Sequence, residues 1–98
     1  MLGKFKDLGK LAKQAMEQSK KLAKIEVTGE SKKGLVKIRL NGKMELINVT
    51  IDDSLLDPSK ARDLKKAMLR AHKDAMKKIQ KELSKSMDMQ ELLGSLGQ

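Results

Sequence analysis

Residues 24–52 read K-I-E-V-T-G-E-S-K-K-G-L-V-K-I-R-L-N-G-K-M-E-L-I-N-V-T-I-D, and how this stretch pairs with itself decides the fold. Here alone apolar and polar residues alternate, as in a half-buried strand. Ile25 and Val27 alternate with Glu26 and Thr28. Residues 29–34 make a polar loop, and residues 35–40 form a second strand. Asn41-Gly42 suits a two-residue type I′ hairpin turn. That turn opposes Leu40 to Lys43, Ile38 to Glu45 and Val36 to Ile47. Opposed residues share a face. One face then carries Val36, Ile38, Ile47, Val49 and Ile51, for the helices to cover. The other carries Leu35, Met44 and Leu46 beside Lys37 and Arg39. This mixed face suits either self-association or solvation with three tolerated apolar residues. Leu35, Met44 and Leu46 are the candidate dimer-interface residues.

Helical periodicity flanks the sheet. Over residues 2–23, Phe5, Leu8, Ala12, Ala15, Ser19 and Leu22 continue a seam begun at Met1, widened by Leu11 and Met16. Lys6, Lys10, Lys13, Lys21 and Lys24 fall on the opposite face. Asp57-Pro58 reads as an N-cap followed by a first-turn proline. Beyond it Ala61, Leu64, Met68, Ala71, Ala75, Ile79 and Leu83 make a second stripe. Arg62, Lys66, Arg70, Lys73, Lys77 and Lys81 lie on the far side of that helix, which is expected over residues 58–86. Residues 87–98 remain as a tail with one possible short helix ending at Gly94. Strands of six residues span only ~20 Å. Both helices therefore overhang the sheet, and their stripes must cover each other or meet a second protomer. The expected fold class is α+β, one domain over residues 1–98, with a long helix, a three-stranded antiparallel sheet over residues 24–52 and a second long helix.

The charge is segregated. Residues 1–24 carry seven lysines against two acids, and residues 57–85 carry ten Lys or Arg against four acids. Residues 25–56 balance at five against five, and the whole chain has a net charge of +9. Excess charge on both helices points to a polyanionic partner. A single aromatic residue, Phe5, leaves no stacking platform for unpaired bases and no aromatic anchor for a membrane surface. No apolar run approaches the ~20 residues of a membrane span, and no leader-like apolar segment stands at the N-terminus. Lysine meets phosphate as a point charge, so the reading is duplex DNA bound mainly through its backbone.

Little here suits catalysis. There is no cysteine, hence no thiol nucleophile or thiolate metal site, which accords with a reducing cytoplasm. His72 is the single histidine and has no nameable co-ligand. Asp52 and Asp53 are neighbours at a strand end and point apart, so they suit turns and caps rather than an acid–base pair. Gly29 to Gly34 has the spacing of a phosphate loop, but Leu35-Val36 replaces the required Lys-Ser/Thr and a strand follows. No catalytic residue, metal, cofactor or small-molecule substrate is expected.

A-K-I-E-V-T-G-E-S at 23–31, G-L-V-K-I at 34–38, N-G at 41–42 and I-N-V-T-I-D-D-S-L-L at 47–56 resemble the YbaB/EbfC family of bacterial nucleoid-associated proteins. An A-x-x-D-A-x-x-K pattern at Ala71, Asp74, Ala75 and Lys78 agrees. The resemblance covers nearly the whole chain. Its tail departs from the Gly/Pro/Met-rich ends frequent in the family, closing instead in E-L-L-G-S-L-G-Q. The resemblance implies a tweezer-like homodimer in the bacterial nucleoid that binds duplex DNA through its projecting helices, with effects on chromosome organisation and gene expression. By position on the exposed faces, the DNA-binding candidates are Lys6, Lys10, Lys13, Lys21, Arg62, Lys66, Arg70, Lys73 and Lys77. The alternative from another class is an assembly protein whose helices grip a protein partner.

Overall fold

In the computed structural model of the chain, the backbone is described over residues 2–96 and the side chains over residues 8–85. Helix α1 (Leu2–Lys24) leads into strand β1 (Glu26–Glu30), a 3-10 turn (Lys32–Gly34), strand β2 (Val36–Asn41) and strand β3 (Leu46–Ile51). Two further 3-10 turns, Asp53–Leu55 and Pro58–Lys60, precede helix α2 (Ala61–Leu96). The strands form one antiparallel sheet in the order β1-β2-β3. The fold is α+β, as expected. Helix α2 does not stop near Ser86 but takes up residues 87–96 of the expected tail. No proline or glycine occurs between Ala61 and Gly94 to end it earlier.

The hairpin differs from its expected form. Val36 pairs with Ile51, Ile38 with Val49 and Arg39 with Asn48, whereas Leu40 pairs with Leu46. The two-residue turn at Asn41-Gly42 is therefore overturned. Asn41 is the last strand residue, only 3% exposed. Its Oδ1 accepts the N–H groups of Lys43 at 2.9 Å and Glu45 at 3.0 Å, and its Nδ2 donates to Glu45 Oε1 at 3.0 Å. An asparagine side chain can cap a loop in this way as readily as it supports a left-handed turn. The left-handed residue is Met44, at φ 63°. Gly42 meets a different demand: a Cβ there would come within 2.5 Å of the Leu22 carbonyl oxygen. Its N–H lies 2.9 Å from that oxygen and 2.8 Å from the Ile25 oxygen, anchoring the end of α1 to the sheet.

A bulge between Arg39 and Leu40 changes which residues share a face. Ile47 becomes exposed, and Leu46 turns to the helix side opposite Leu40. The far face is polar rather than mixed: Thr28, Glu30, Lys37, Arg39, Asn48 and Thr50 line it. Ion pairs Lys37–Glu30 at 3.8 Å and Arg39–Glu26 at 3.9 Å cross it.

The core lies between the sheet and α2. Val36, Ile38, Leu40, Leu55, Ala71, Ala75 and Ile79 are buried. Full burial of a side chain the size of Ile79 stabilises by about 2–3 kcal/mol. Small residues let α2 sit close: a Cβ on Gly29 would fall 2.2 Å from the Ala75 nitrogen and 2.3 Å from the Ala71 oxygen. Gly29 thus belongs to a strand, not to the loop expected from residue 29 onward.

Helix α2 packs on β1 and β2, while among the described residues α1 meets the sheet at its C-terminal end and at β2. Leu8, Leu11 and Met16 are about three-fifths exposed, so α2 does not cover the seam of α1. Met1 and Phe5 of that seam lie outside the described side chains. The molecule is drawn out to 64 × 31 × 17 Å.

Candidate nucleic-acid interface

The N-terminal approach to α2 is built by two aspartates. Asp52 Oδ2 accepts from Ser54 N–H at 3.1 Å and from its hydroxyl. Asp57 Oδ1 accepts from the N–H and the hydroxyl of Ser59, both at 2.9 Å, with Pro58 at the first turn position. Ser54 holds the Asp52 carboxyl below the usual aspartate range, and Ser59 does the same for Asp57. These are the turn and cap roles expected for Asp52 and for Asp57.

Further along, α2 is clamped onto the edge strand β1. Asp74 accepts the Glu30 N–H at 2.9 Å and pairs with Lys78 at 3.1 Å. Lys78 in turn donates to the Thr28 carbonyl at 2.9 Å. The Glu30 hydrogen bond, then that of Lys78, lowers the Asp74 carboxyl below its ordinary value. This pair fixes the rotation of α2 about its axis. Ala71, Ala75 and Ile79 face the core, and the basic residues face outward.

Arg62, Lys66, Arg70, Lys73 and Lys77 are exposed and recur every three or four residues on α2. None forms an ion pair with another described residue. Lys66, Arg70 and Lys73 line one groove, of about 630 Å³, and Arg70, Lys73 and Lys77 line the adjoining one. Arg62 lies on the same helix but lines neither groove. Lys10, Lys13 and Lys21 are exposed on α1, and the side chain of Lys6 lies outside the described residues. The structure thus gathers four of the nine candidates around two grooves and leaves the α1 lysines on a separate element.

One basic residue was missed by the sequence reading. Lys32, in the turn between β1 and β2, lines both grooves opposite α2. Its signal in the sequence is the K-K pair inside the polar loop of residues 29–34.

The candidate dimer residues are also redistributed. Leu35 lines the first groove beside Leu55 and Leu69. Met44 and Leu46 line a third groove, between β3 and α2, with Leu64, Met68 and again Leu69. The three therefore lie not on the far face of the sheet but on the helix side, where the grooves adjoin at Leu69. Met44, Leu46, Met68 and Leu69 are all exposed there. His72 lines this third groove as well. Among the described residues no cluster of His, Cys, Asp and Glu suits a metal ion. Among them, too, no helix is long and apolar enough to cross a membrane.

The model of the YbaB/EbfC DNA-binding family matches residues 1–96. The chain belongs to that family. It is 35% identical over 96 residues to a nucleoid-associated protein of Bradyrhizobium sp. (strain ORS 278), covering 98% of this chain and 89% of that one. It is 40% identical over 90 residues to a nucleoid-associated protein of Paramagnetospirillum magneticum, covering 85% and 84%. Its fold is similar to the crystal structure of an uncharacterized protein from Helicobacter pylori, with a TM-score of 0.57, 27% identity and coverage of 80% and 90%. The YbaB/EbfC resemblance, read over nearly the whole chain, accords with a match over residues 1–96.

Proposed function

We propose that this chain is a nucleoid-associated protein of the bacterial cytoplasm that grips duplex DNA as a homodimer, chiefly through phosphates. The observation that carries the reading is the run Arg62, Lys66, Arg70, Lys73 and Lys77: exposed, without ion pairs among the described residues and facing away from the core. Exposed cations without carboxylate partners are free to replace the counterions condensed on DNA. The lysines of α1 add a second projecting basic surface. The apolar surface around Leu69, with Met44, Leu46 and Met68, supports a contact with a second copy. Dimerisation doubles the number of basic arms on one particle and so the phosphates reached at once.

Fluorescence anisotropy on a labelled duplex tests this. Affinity is expected to fall log-linearly with salt, with a slope near −0.9 for each phosphate contacted. The double variant Arg70→Glu, Lys73→Glu is expected to weaken binding to unrelated duplexes alike, since phosphate contacts carry no sequence information. Undetectable binding at low salt, or affinity that stays flat between ~50 and ~200 mM, would count against the reading.

A second reading rests on α1. Its exposed Leu8, Leu11 and Met16 favour a helix that grips a protein. Capture of one specific protein, insensitive to salt and to nuclease, would support that alternative over DNA binding.

A further inference from the structure

The two basic grooves have walls from different parts of the chain. Arg70 and Lys73 come from α2, and Lys32 comes from the turn after β1. That turn is tightly built. Ser31 is only 7% exposed, and its hydroxyl accepts the Val36 N–H at 2.9 Å. Its own N–H donates to the Val36 carbonyl at 2.9 Å, and its carbonyl accepts from Gly34 at 3.0 Å. Lys33, next in line, is locked in the left-handed region at φ 61°. The backbone of Lys32 is therefore fixed before any ligand arrives.

The nearby carboxylates are already engaged. Asp74 holds the Glu30 N–H and Lys78, and Glu30 pairs with Lys37. Asp63, which lines the first groove, is the acid there without an ion-pair partner among the described residues. Against it stand Lys32, Lys66, Arg70 and Lys73, so the groove keeps a net positive charge.

Resting on the duplex-DNA reading, we infer that the Lys32 turn is a DNA contact in its own right and seats a backbone phosphate between itself and Arg70–Lys73 of α2. A helix face presents a single row of charge and meets a phosphate from one side. The turn supplies the other wall. Arg70 offers a planar fork to two phosphate oxygens, while Lys32 and Lys73 act as point charges. Because the turn's backbone is preformed, the contact orders the Lys32 side chain but little main chain. The sheet thereby takes part in binding and sets how far α2 enters along the duplex.

The test is Lys32→Ala in the full chain, with Lys43→Ala at the hairpin as a control of equal charge change. The Ser31 and Gly34 backbone bonds survive the first substitution, so its thermal midpoint is expected to match the wild type. Its affinity for a duplex at about 0.1 M salt is expected to fall on the order of 5- to 10-fold, and its salt slope to flatten by about 0.9. Lys43→Ala is expected to leave the slope unchanged. Wild-type binding with no change in Lys32→Ala would overturn the inference while leaving the DNA-binding reading intact. An equal loss in Lys43→Ala would also overturn it, since net charge alone would then explain the effect. A wild type that fails to bind duplex DNA, before any variant is compared, sinks the parent reading and this inference together.

Discussion

The Asp74 carboxylate accepts the Glu30 backbone N–H at 2.9 Å, joining α2 to β1 across 44 positions of sequence. Its carboxyl is lowered by that bond first and by Lys78 second. The unfolded chain therefore takes up this proton at higher pH, near the ~3.9 of an unperturbed aspartate. Stability from Asp74 is complete above that value and is lost as pH falls through the lower, folded value. Asp52 and Asp57 are shifted the same way and add to the loss. Urea denaturation from pH 7 down to about pH 2 is expected to show falling stability below about pH 4. Asp74→Asn should show a flatter profile and lower stability at pH 7. An unchanged profile would mean that Asp74 holds nothing in place.

Gly29→Ala forces a methyl group into the backbone of α2 at Ala71 and Ala75. Neither neighbour is a flexible side chain that could swing aside. The expected loss is about 3 kcal/mol or more, at the upper end of overpacking costs, because the helix must lift from the sheet. Denaturant midpoints measure it, and a loss below about 1 kcal/mol would show that α2 slides without penalty.

Gly42→Ala should act elsewhere. The added methyl meets the Leu22 carbonyl, the point where α1 is tied to the hairpin. The expectation is about 1–3 kcal/mol of destabilisation, concentrated on the α1 junction. Hydrogen exchange should rise at Gly42 and Ile25 while the amides of β2 remain protected. Uniform loss across the sheet would contradict this.

Leu46→Asp places a charge in the exposed apolar groove beside Met68 and Leu69. Because Leu46 is already 59% exposed, the fold of the single chain should be little changed. Sedimentation is expected to shift from dimer to monomer. A dimer that persists at micromolar concentration would move the interface away from this groove.

The two helices were legible in sequence because their apolar stripes run long enough for periodicity to average out noise. The cap at Asp57-Pro58 was legible because both residues act locally. Asn41-Gly42 misled for the same reason that it attracts attention. Its residues suit a tight turn locally, yet Asn41 is used as a buried loop cap and Gly42 is required by a helix that ends at Lys24, well before it in sequence. The bulge after Arg39 left no mark in the alternation, so Leu46 was assigned to the wrong side of the sheet. Among the site residues, Arg70 and Lys73 could be read from their spacing on α2. The place of Lys32 in the grooves could not, because it depends on how a turn folds against a helix far along the chain.

Held to the sheet, among the described residues, only near its C-terminal end, at Leu22 and β2, α1 can act as a lever. A helix of 23 residues is about 35 Å long at ~1.5 Å per residue. A rotation of about ten degrees at its base would swing the free end by about 6 Å, nearly the rise of two base pairs at ~3.4 Å each. Helix α2, clamped by Asp74 and Lys78, has no comparable freedom where it crosses β1. If the helices meet DNA as proposed, α2 would set the position along the duplex, and α1 would accommodate variation in groove width and bend without disturbing the core.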